Sequence, residues 1–483
     1  MKIFKRGFVV LFLLILLLPV LWLRTQPKLI SELDNTYYPE RPQLSSYSHF
    51  ADYCAAWHEY IDKRLGFREQ LINGYQVLHD RLWHELVHPI YTYGRDGEVF
   101  GKESRFSFNK DMEYDSFHED FVQAVYKMKQ YCDERGIYFI FMMEPAKYRV
   151  LYDYLPSGGT LKMSYAEKIV SRLQELGVPC IDTYDVLREK FLAGEQVFNH
   201  QYDANHWNYL GAYYGVNDLL ATIKQKYPTQ HLNALAEFDR GVKTARTLPL
   251  SNFAIKEDVP VWNLHASLKD RSNLYQKGLH IDSQNKKFIS LYNPERAKDK
   301  DIEAPKSLFF QGSYLFSGDR YILPANAFVD YTAVHAYQNI LDFSYYVDIF
   351  KPDVIVFEQA DYSLTKHYFD PERLAHFSLP QSYSAEVEKR EKVESKGFTK
   401  PQAEVTESQA LATVKLTNLP KGITELYLEI DGEHLSFTSD YAHYVLCGVP
   451  LDKNEVKSLE NSKVVAVVNG KVCRWSFKEL LAK

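Results

Sequence analysis

Two polar segments carry side chains that together could catalyse acyl transfer. The first contains Asp203 and His206, three residues apart, in a loop that runs into an apolar helical stretch. A carboxylate beside an imidazole holds its tautomer and stabilises the imidazolium, which a histidine needs if it is to deprotonate a serine. Asp and Asn also cap helix N-termini, so this spacing alone leaves a purely structural interpretation open.

The candidate nucleophile is Ser313, which follows Gly312 after the apolar run Ser307 to Phe310. In open α/β sheets, ligands bind outside the carboxyl ends of the strands. We therefore expect Gly312 to permit a tight turn that exposes the serine hydroxyl and aims backbone N–H groups at an oxyanion. An ordinary turn with a capping serine is the alternative, and Ser317 is a weaker candidate nucleophile.

One further group of side chains has a spacing compatible with metal binding. Asp80, His84 and His88 are four residues apart on a predicted helix that starts at Tyr75. Such a set can in principle hold zinc, but a solvated helix face with an Asp80–His84 pair fits equally well, and no cysteine reinforces the set. No phosphate-binding loop or dinucleotide fingerprint occurs. We therefore expect neither a metal nor a cofactor.

The candidate residues lie among alternating helical and strand-like segments, which predicts an α/β fold with a parallel sheet. A helix at 117–135 precedes a strand at 137–143, and a second helix beginning near Tyr165 precedes a strand at 178–181. The stretch 229–305 is polar and gives no clear assignment. Further strands are predicted at 307–310, 327–334 and 354–357, with a helix at 337–350.

The C-terminal part has a different pattern. Residues 381–410 are charged and lack apolar periodicity, so they are predicted to be a linker, and residues 411–483 are predicted to form a small all-β domain. Its aromatic residues could stack on sugar rings, although a domain that merely caps the rest is an equal alternative; they are Tyr427, Phe437, Tyr441 and Tyr444.

The N-terminal residues are predicted to form a membrane anchor. Lys2, Lys5 and Arg6 precede the stretch from Gly7 to Leu23, which contains no charged residue. Such a run can span most of the ~30 Å hydrocarbon core, and the basic residues before it place the N-terminus inside the cell. With no small-residue cleavage site, residues 1–30 are predicted to be an uncleaved signal-anchor, and the α/β domain, 31–380, to be extracytoplasmic.

Composition excludes two further classes of protein. The chain has 483 residues, 46% of them hydrophobic and 25% charged, which excludes a wholly disordered protein and implies more than one structural unit. A net charge of −6 disfavours nucleic-acid binding, which needs clustered positive charge. Five cysteines are few and odd in number, so no disulfide framework is expected; Cys447 with Cys473 is the pair to test.

These segments together resemble the SGNH-hydrolase-like family of alginate O-acetylation proteins and the related DHHW proteins. As in that family, the acid and histidine precede the serine in the chain. The matching segments are Tyr60 to Gln70, Tyr93 to Phe100, Glu144 to Lys147, Asp203-x-x-His206-Trp207-Asn208 with Gly211 and Ala212, Gly312-Ser313-Tyr314, and Lys351 to Val356.

The chain departs from the family pattern at two places. The family usually has an acidic residue directly before the nucleophile, where this chain has Gly312, and two residues rather than one separate Asp203 from His206. The family also has a late acidic residue after the Lys-Pro-Asp strand. Glu358 and Asp361 are both candidates for that position.

The resemblance implies an SGNH-like parallel sheet flanked by helices, and an acyl-enzyme mechanism. Ser313 would take the acyl group, His206 would act as general base and then acid, and Asp203 would orient the imidazole. Tyr314 and Trp207 are expected at the substrate, and packing of its own loop is the alternative role for Trp207.

The resemblance also implies partners. Because acetyl-CoA is cytoplasmic, the acyl group would come from a membrane-bound O-acyltransferase, and a cell-surface or secreted polysaccharide would accept it. Two alternatives remain at this stage: a carbohydrate esterase, and a non-catalytic glycan-binding or scaffold subunit of a polysaccharide export machine.

Overall fold

The computed structural model describes residues 2–26, 38–47, 49–88, 90–101, 113–156, 164–249, 253–439, 444–451 and 459–481. The helices of these residues are α1 Lys2–Leu21, α2 Phe50–Arg64, α3 Arg68–Trp83, α4 Ser116–Asp133, α5 Lys147–Val150, α6 Ser164–Glu175, α7 Tyr184–Leu192, α8 Tyr209–Ile223, α9 Ser272–Tyr275, α10 Pro294–Lys298, α11 Ser313–Phe316, α12 Ile322–Ala325, α13 Phe343–Phe350, α14 Pro371–Ala375, α15 Ala385–Lys389 and α16 Phe477–Leu480.

The strands are β1 Tyr91–Tyr93, β2 Val99–Gly101, β3 Tyr138–Glu144, β4 Cys180–Asp182, β5 Phe238–Thr247, β6 Ala254–Leu264, β7 Lys269–Asp270, β8 Phe288–Tyr292, β9 Lys306–Gln311, β10 Asp330–His335, β11 Val354–Ala360, β12 Gln402–Glu407, β13 Leu411–Thr417, β14 Ile423–Ile430, β15 Glu433–Ser436, β16 Thr438–Ser439, β17 Val445–Pro450, β18 Lys463–Val468 and β19 Lys471–Ser476.

A mixed seven-stranded sheet organises the α/β region, in the order β4-β3-β11-β9-β10-β8-β7. The first five strands of this order run parallel, which confirms the predicted parallel sheet. Strands β8 and β7 extend the sheet with antiparallel pairing, and they come from the stretch that the sequence left unassigned. The carboxyl ends of β3, β9 and β11 therefore meet at one edge of the sheet.

The central strands are near-continuous apolar runs because helices cover them. Residues Phe139 to Met143 of β3 and every residue of β11 are buried. Helix α4 packs an apolar face against this sheet through Phe121, which contacts the rings of Phe141 and Phe357. Strands buried on both faces read as unbroken apolar sequence, which is the pattern that predicted them.

The C-terminal region is all-β, as predicted. Two antiparallel four-stranded sheets, β12-β13-β17-β16 and β15-β14-β18-β19, enclose a common apolar core. Strand β12 lies within the segment 381–410 that was predicted to be a linker, and it pairs with β13. Tyr427 and Phe437 are buried and Tyr444 is half-buried, so the first two rings offer no sugar-stacking surface; Tyr441 lies outside the described residues. Cys447 and Cys473 are free thiols in the interior.

The N-terminal region consists of three helices. The predicted opening helix, Tyr60 to Gln70, is interrupted: α2 ends at Arg64 and α3 begins at Arg68, because Phe67 adopts a left-handed conformation with φ of 60°. Helix α1 coincides with the charge-free stretch from Gly7 to Leu23 over most of its length. Within the part of the chain that the structure describes, no helix has both the length and the apolar character needed to cross a bilayer.

Candidate active site

The loop that carries Asp203 and His206 is held at both ends. Phe198 and Trp207 form an isolated antiparallel bridge, and the side chain of Asn208 caps α8 by accepting from Leu210 N and Gly211 N. This cap is the role of a helix N-terminal Asn, and it leaves the Asp203 carboxylate free for the histidine. The capping alternative that the sequence left open therefore applies to Asn208 and not to Asp203.

Close packing around Trp207 explains the glycines of the motif. A Cβ atom on Gly211 would lie 2.3 Å from the carbonyl oxygen of Val197, and one on Gly215 would lie 2.4 Å from the indole of Trp207. The indole is fully buried and donates from Nε1 to the carbonyl of Tyr314 at 3.0 Å. The tryptophan thus joins the histidine loop to the nucleophile turn.

The nucleophile turn lies at the carboxyl end of β9. Ser313 is the first residue of α11 and is half-buried. The preceding Gly312 has φ of −94° and ψ of −160°, an extended conformation open to any residue, so the expectation that its backbone freedom shapes the turn is wrong. Its N–H donates inward to Oε2 of Glu358 at 2.6 Å and is unavailable to an oxyanion.

The three predicted catalytic side chains converge. His206 Nδ1 lies 2.5 Å from Oδ1 of Asp203, and His206 Nε2 lies 2.7 Å from Oγ of Ser313. An ionised carboxylate only accepts hydrogen bonds, so Nδ1 carries the proton of the neutral ring and Nε2 accepts from the serine hydroxyl. This is the tautomer in which a histidine can remove the hydroxyl proton.

A cation that the sequence did not point to supports the ionised state of Asp203. Burial by itself would raise the pKa of this carboxyl, but His206 and Arg320 outweigh burial and hold the pKa below its usual value. Arg320 is buried, and its Nη2 lies 3.5 Å from Oδ2 of Asp203. Its position in a polar Ser-Gly-Asp-Arg segment gives no sequence signal; only the fold brings it to the aspartate.

Tyr314 and Trp207, expected at the substrate, support the histidine from behind instead. Tyr314 is fully buried, its ring meets His206 edge to face at 4.9 Å, and its hydroxyl donates to the carbonyl oxygens of Pro145 and Asn205. Since both rings are packed away from solvent, they offer no surface to a ligand. Tyr314 packs against the imidazole, and Trp207 packs against Tyr314 with 5.3 Å between the ring centroids.

A pair of buried carboxyl groups lies directly behind the nucleophile turn. Glu358 near the end of β11 accepts from Gly312 N, and the carboxyl group of Glu144 at the end of β3 lies close enough to Glu358 to interact with it electrostatically. Burial raises the pKa of Glu358 to about 8, and burial together with the Glu358 carboxylate raises the pKa of Glu144 well above its usual value. The two carboxyl groups therefore hold a proton near neutral pH.

The two candidates for the late acidic position have different partners in the structure. Glu358 contacts the residue that stands where the family usually has its acid, and a Cβ on Gly312 would lie 3.9 Å from Glu358 Oε1. Asp361 instead accepts from Ala146 N and faces Arg149 at 3.8 Å. Its pKa is raised to about 7 by burial, against the effect of Arg149. A carboxyl at the end of an apolar strand was the available signal for both.

The side chain of Lys147 contacts two other segments of the site. Its fully buried ammonium donates to the carbonyl oxygens of Val99 and His200 and pairs with Glu98 at 2.6 Å. Burial lowers the pKa of this lysine, and Glu98 opposes the change. Two of the segments that match the family, Tyr93 to Phe100 and Glu144 to Lys147, therefore meet at the histidine loop.

A groove of about 530 Å³ lies beside the triad, between the histidine loop and the β5–β6 hairpin. Its walls include Tyr202, Lys243, Trp262, Arg320 and Tyr321. The hairpin was not foreseen, because β5 is exposed along most of its length and so has no apolar alternation. The groove places aromatic, hydroxyl and cationic groups next to Asp203.

The set Asp80, His84 and His88 does not share one helix face. Helix α3 ends at Trp83, and His84 has a left-handed conformation, 3.7 Å from the carboxylate of Asp80. His88 lies beyond the helix, where its Nδ1 accepts from Ile90 N. Among the described residues, no group of three or more side chains is arranged to hold a metal ion.

The comparison with known families agrees with the resemblance predicted from the sequence. Residues 93–258 match the family model described as "SGNH hydrolase-like domain, acetyltransferase AlgX". This match confirms the predicted similarity to the alginate O-acetylation family and includes Asp203 and His206. Ser313 lies beyond the matched segment, so its assignment rests on the geometry above. No curated protein sequence matches the chain.

Several solved structures are similar to part of the chain. PatB1 of Bacillus cereus, with a sulfonyl adduct, has a TM-score of 0.44 and 15% identity, covering 57% of this chain and 96% of that one. The O-acetyltransferase domain of Pseudomonas putida AlgJ has a TM-score of 0.41 and 15% identity, covering 60% and 99%. Pseudomonas aeruginosa AlgX has a TM-score of 0.42 and 11% identity, covering 76% and 88%.

Proposed function

We propose that this protein is an O-acetyltransferase of the SGNH-like class that acts on hydroxyl groups of a cell-surface or secreted polysaccharide through an acetyl-Ser313 intermediate. The observation that carries the proposal is the hydrogen-bonded series Asp203–His206–Ser313, with distances of 2.5 and 2.7 Å. The match of residues 93–258 to an acetyltransferase family model supports the choice of acyl group and acceptor.

In the first half-reaction, His206 Nε2 removes the hydroxyl proton as Oγ of Ser313 attacks the acyl carbonyl. Asp203 stabilises the imidazolium that forms. Because the N–H of Gly312 is bound to Glu358, the N–H of Ser313 is the nearest backbone donor for the oxyanion, and a residue at a helix start has no intrahelical acceptor for it. Collapse of the tetrahedral intermediate expels the leaving group, which takes the proton from Nε2.

In the second half-reaction, His206 removes the proton of a sugar hydroxyl as that oxygen attacks the acetyl-enzyme. Collapse forms the new ester and returns the proton to Ser313. The groove lined by Tyr202, Lys243 and Tyr321 is the acceptor site in this proposal, because it also borders Arg320, the partner of Asp203, and offers both aromatic and polar surface.

Location and partners belong to the same proposal. The basic N-terminus and the charge-free stretch Gly7 to Leu23 support membrane attachment with the catalytic region outside the cytoplasm. A membrane-bound O-acyltransferase is then the source of acetyl groups, and tethering keeps Ser313 close to it.

Replacement of Ser313 tests the proposal. The assay incubates the protein with p-nitrophenyl acetate and a defined oligosaccharide, and mass spectrometry counts acetyl groups on the sugar. Ser313→Ala should abolish transfer, whereas Ser317→Ala, four residues away in the same segment, should retain it. Transfer that survives Ser313→Ala would reject the proposal.

The same assay distinguishes the alternatives. A carbohydrate esterase would release free acetate from an acetylated oligosaccharide and leave the acceptor unmodified. A non-catalytic glycan-binding subunit would neither transfer nor hydrolyse, and Ser313 would resist a fluorophosphonate.

A further inference from the structure

Helix α3 presents its apolar side chains to the outside. Four apolar residues at helical spacing lie along one face: Leu71 is 61% exposed, Tyr75 52%, Leu78 52% and Leu82 59%. A helix on the surface of a water-soluble protein has the opposite arrangement, with its apolar stripe turned to the core. We refer to these four residues as the α3 stripe.

The inward face of α3 is polar. Glu69 is buried and accepts from the hydroxyl of Tyr38 at 2.7 Å and from Arg24 at 2.9 Å. Gln76 is completely buried, and neither polar atom of its amide has a hydrogen-bond partner among the described residues. The helix is therefore held to the protein by polar groups while its apolar surface remains uncovered.

The neighbouring helix α2 exposes several charged and polar side chains to solvent. Its exposed residues include Asp52, His58, Glu59 and Asp62, together with the apolar Phe50 and Ile61. The exposed surface of α2 is therefore of mixed character, whereas the exposed surface of α3 is mostly apolar.

The α3 stripe starts where the apolar N-terminal helix ends. The N–H of Gly66, next to α3, donates to the carbonyl of Pro19 in α1 at 2.9 Å, and the rings of Trp22 and Phe67 lie 5.9 Å apart. The described side chains from Phe8 to Ile15 are also exposed and apolar. Two uncovered apolar surfaces thus meet at one corner of the protein.

The exposed residues of α3 carry no carboxylate. Arg81 is the charged member of this face, and Trp83 is exposed at the C-terminal end of the helix. Aromatic rings and basic groups bordering an apolar stripe are typical of helices that lie at a bilayer surface, where rings sit at headgroup depth and cations meet anionic lipids. Continuity with α1 and this charge pattern together favour lipid as the occupant.

We propose that α3 lies in the headgroup region of a lipid bilayer, with the α3 stripe immersed in the acyl-chain boundary, as a second membrane contact beside α1. Sixteen residues give a contact of about 24 Å along the surface. Two contacts, unlike one flexible tether, set the orientation of the catalytic region relative to the membrane. This inference uses the membrane attachment proposed above but is independent of the chemistry at Ser313.

Depth-dependent quenching tests the contact in the full chain. In a Cys54→Ser background, which removes an exposed thiol, a single cysteine replaces Leu71, Leu78 or Leu82 and is labelled with an NBD dye. The protein is reconstituted into phosphatidylethanolamine–phosphatidylglycerol vesicles with or without brominated acyl chains. The matched control is His58→Cys on the exposed face of α2.

We expect a blue shift and bromolipid quenching at all three α3 positions and neither at position 58. Vesicles that carry the protein but leave the α3 dyes unquenched would overturn the inference while preserving membrane attachment. Protein that does not float with vesicles would overturn both. Dye burial that increases with protein concentration without lipid would indicate a second copy, and a blue shift seen in native membranes but not in the reconstituted vesicles would indicate a protein partner; either result contradicts a lipid contact.

These outcomes are separable from the proposed enzymatic function. Acetyl transfer to an oligosaccharide is measured on the same labelled variants in detergent, where it depends on Ser313 and not on lipid. If the α3 dyes are not quenched but acetyl transfer is intact, only the role of α3 is rejected. If the dyes are quenched but transfer does not depend on Ser313, only the acyl-enzyme is rejected.

Discussion

The carboxyl pair behind the nucleophile turn makes a specific prediction about stability. Glu358 accepts the N–H of Gly312 at 2.6 Å and lies with Glu144 in a fully buried environment, where burial raises the pKa of both carboxyl groups. In Glu358→Gln, the amide oxygen can still accept from Gly312, but the group no longer titrates. We expect the variant to fold and to lose part of the pH dependence of the wild-type protein.

The sign and size of the effect follow from the raised pKa. Folding raises the pKa of Glu358 from its usual 4.5 to about 8, so the folded state favours the protonated acid. Its contribution to the free energy of unfolding is complete below about pH 4.5 and is lost as the pH rises towards 8. One such proton changes this free energy by about 1.4 kcal/mol per pH unit, or roughly 4 kcal/mol between pH 5 and pH 8.

Urea unfolding at several pH values measures the effect. The wild-type free energy of unfolding should fall more steeply between pH 5 and pH 8 than that of Glu358→Gln, by up to about 1.4 kcal/mol per pH unit. Glu404→Gln, at an exposed position of β12, serves as control and should follow the wild type. If the free energy of unfolding depends on pH equally in the wild type and in Glu358→Gln, the assignment of a buried proton to Glu358 is refuted.

Three further predictions concern the histidine loop. Asp203→Asn should keep the fold and reduce kcat by about 10³- to 10⁴-fold, because an amide can stabilise the wrong imidazole tautomer; an unchanged kcat would contradict the relay. Arg320→Met should move the acidic limb of the pH–rate profile to higher pH, since the pKa of Asp203 rises without its cation, and Arg320→Lys should restore part of the shift. Gly211→Ala should lower the free energy of unfolding by about 1–3 kcal/mol, because its Cβ would lie 2.3 Å from a carbonyl oxygen. Gly241→Ala, where the nearest atom is 3.6 Å away, should leave the free energy of unfolding unchanged.

The sequence predicted the catalytic elements because their physical signals are local. Strands β3, β9 and β11 are apolar runs buried on both faces, and each ends at polar residues. In a parallel sheet those ends meet at one edge, so the position of Ser313 after β9 followed from the fold class alone. The Asp203–His206 spacing supplied the second half of the site, and the convergence of the two halves required coordinates.

Other parts of the site depend on contacts that no local pattern encodes. Arg320 reaches Asp203 across 117 residues of chain, and its own segment reads as an ordinary polar turn. The β5–β6 hairpin is exposed on most of its surface, so neither strand shows the alternation by which strands are recognised. The role of Gly312 was misassigned because its N–H is directed by Glu358, a partner supplied by another strand.

The N-terminal helices illustrate a different limit. The spacing of Leu71, Leu78 and Leu82 puts them on one face of α3, but spacing does not say whether that face is turned to the core or to the outside. Burial settles that question: Gln76 is inside, and Leu71 and Leu82 are outside.

Trapping the acyl-enzyme tests the central claim most directly. The wild-type protein and His206→Ala are mixed with p-nitrophenyl acetate, quenched in acid within the first turnover and digested, and the acetylated peptide is identified by mass spectrometry. We predict one acetyl group on Ser313 in the wild type, released when an oligosaccharide is added before the quench, and little or none in His206→Ala. Acetyl transfer to the oligosaccharide without acetylation of Ser313, or with the acetyl group on another residue, would contradict the account.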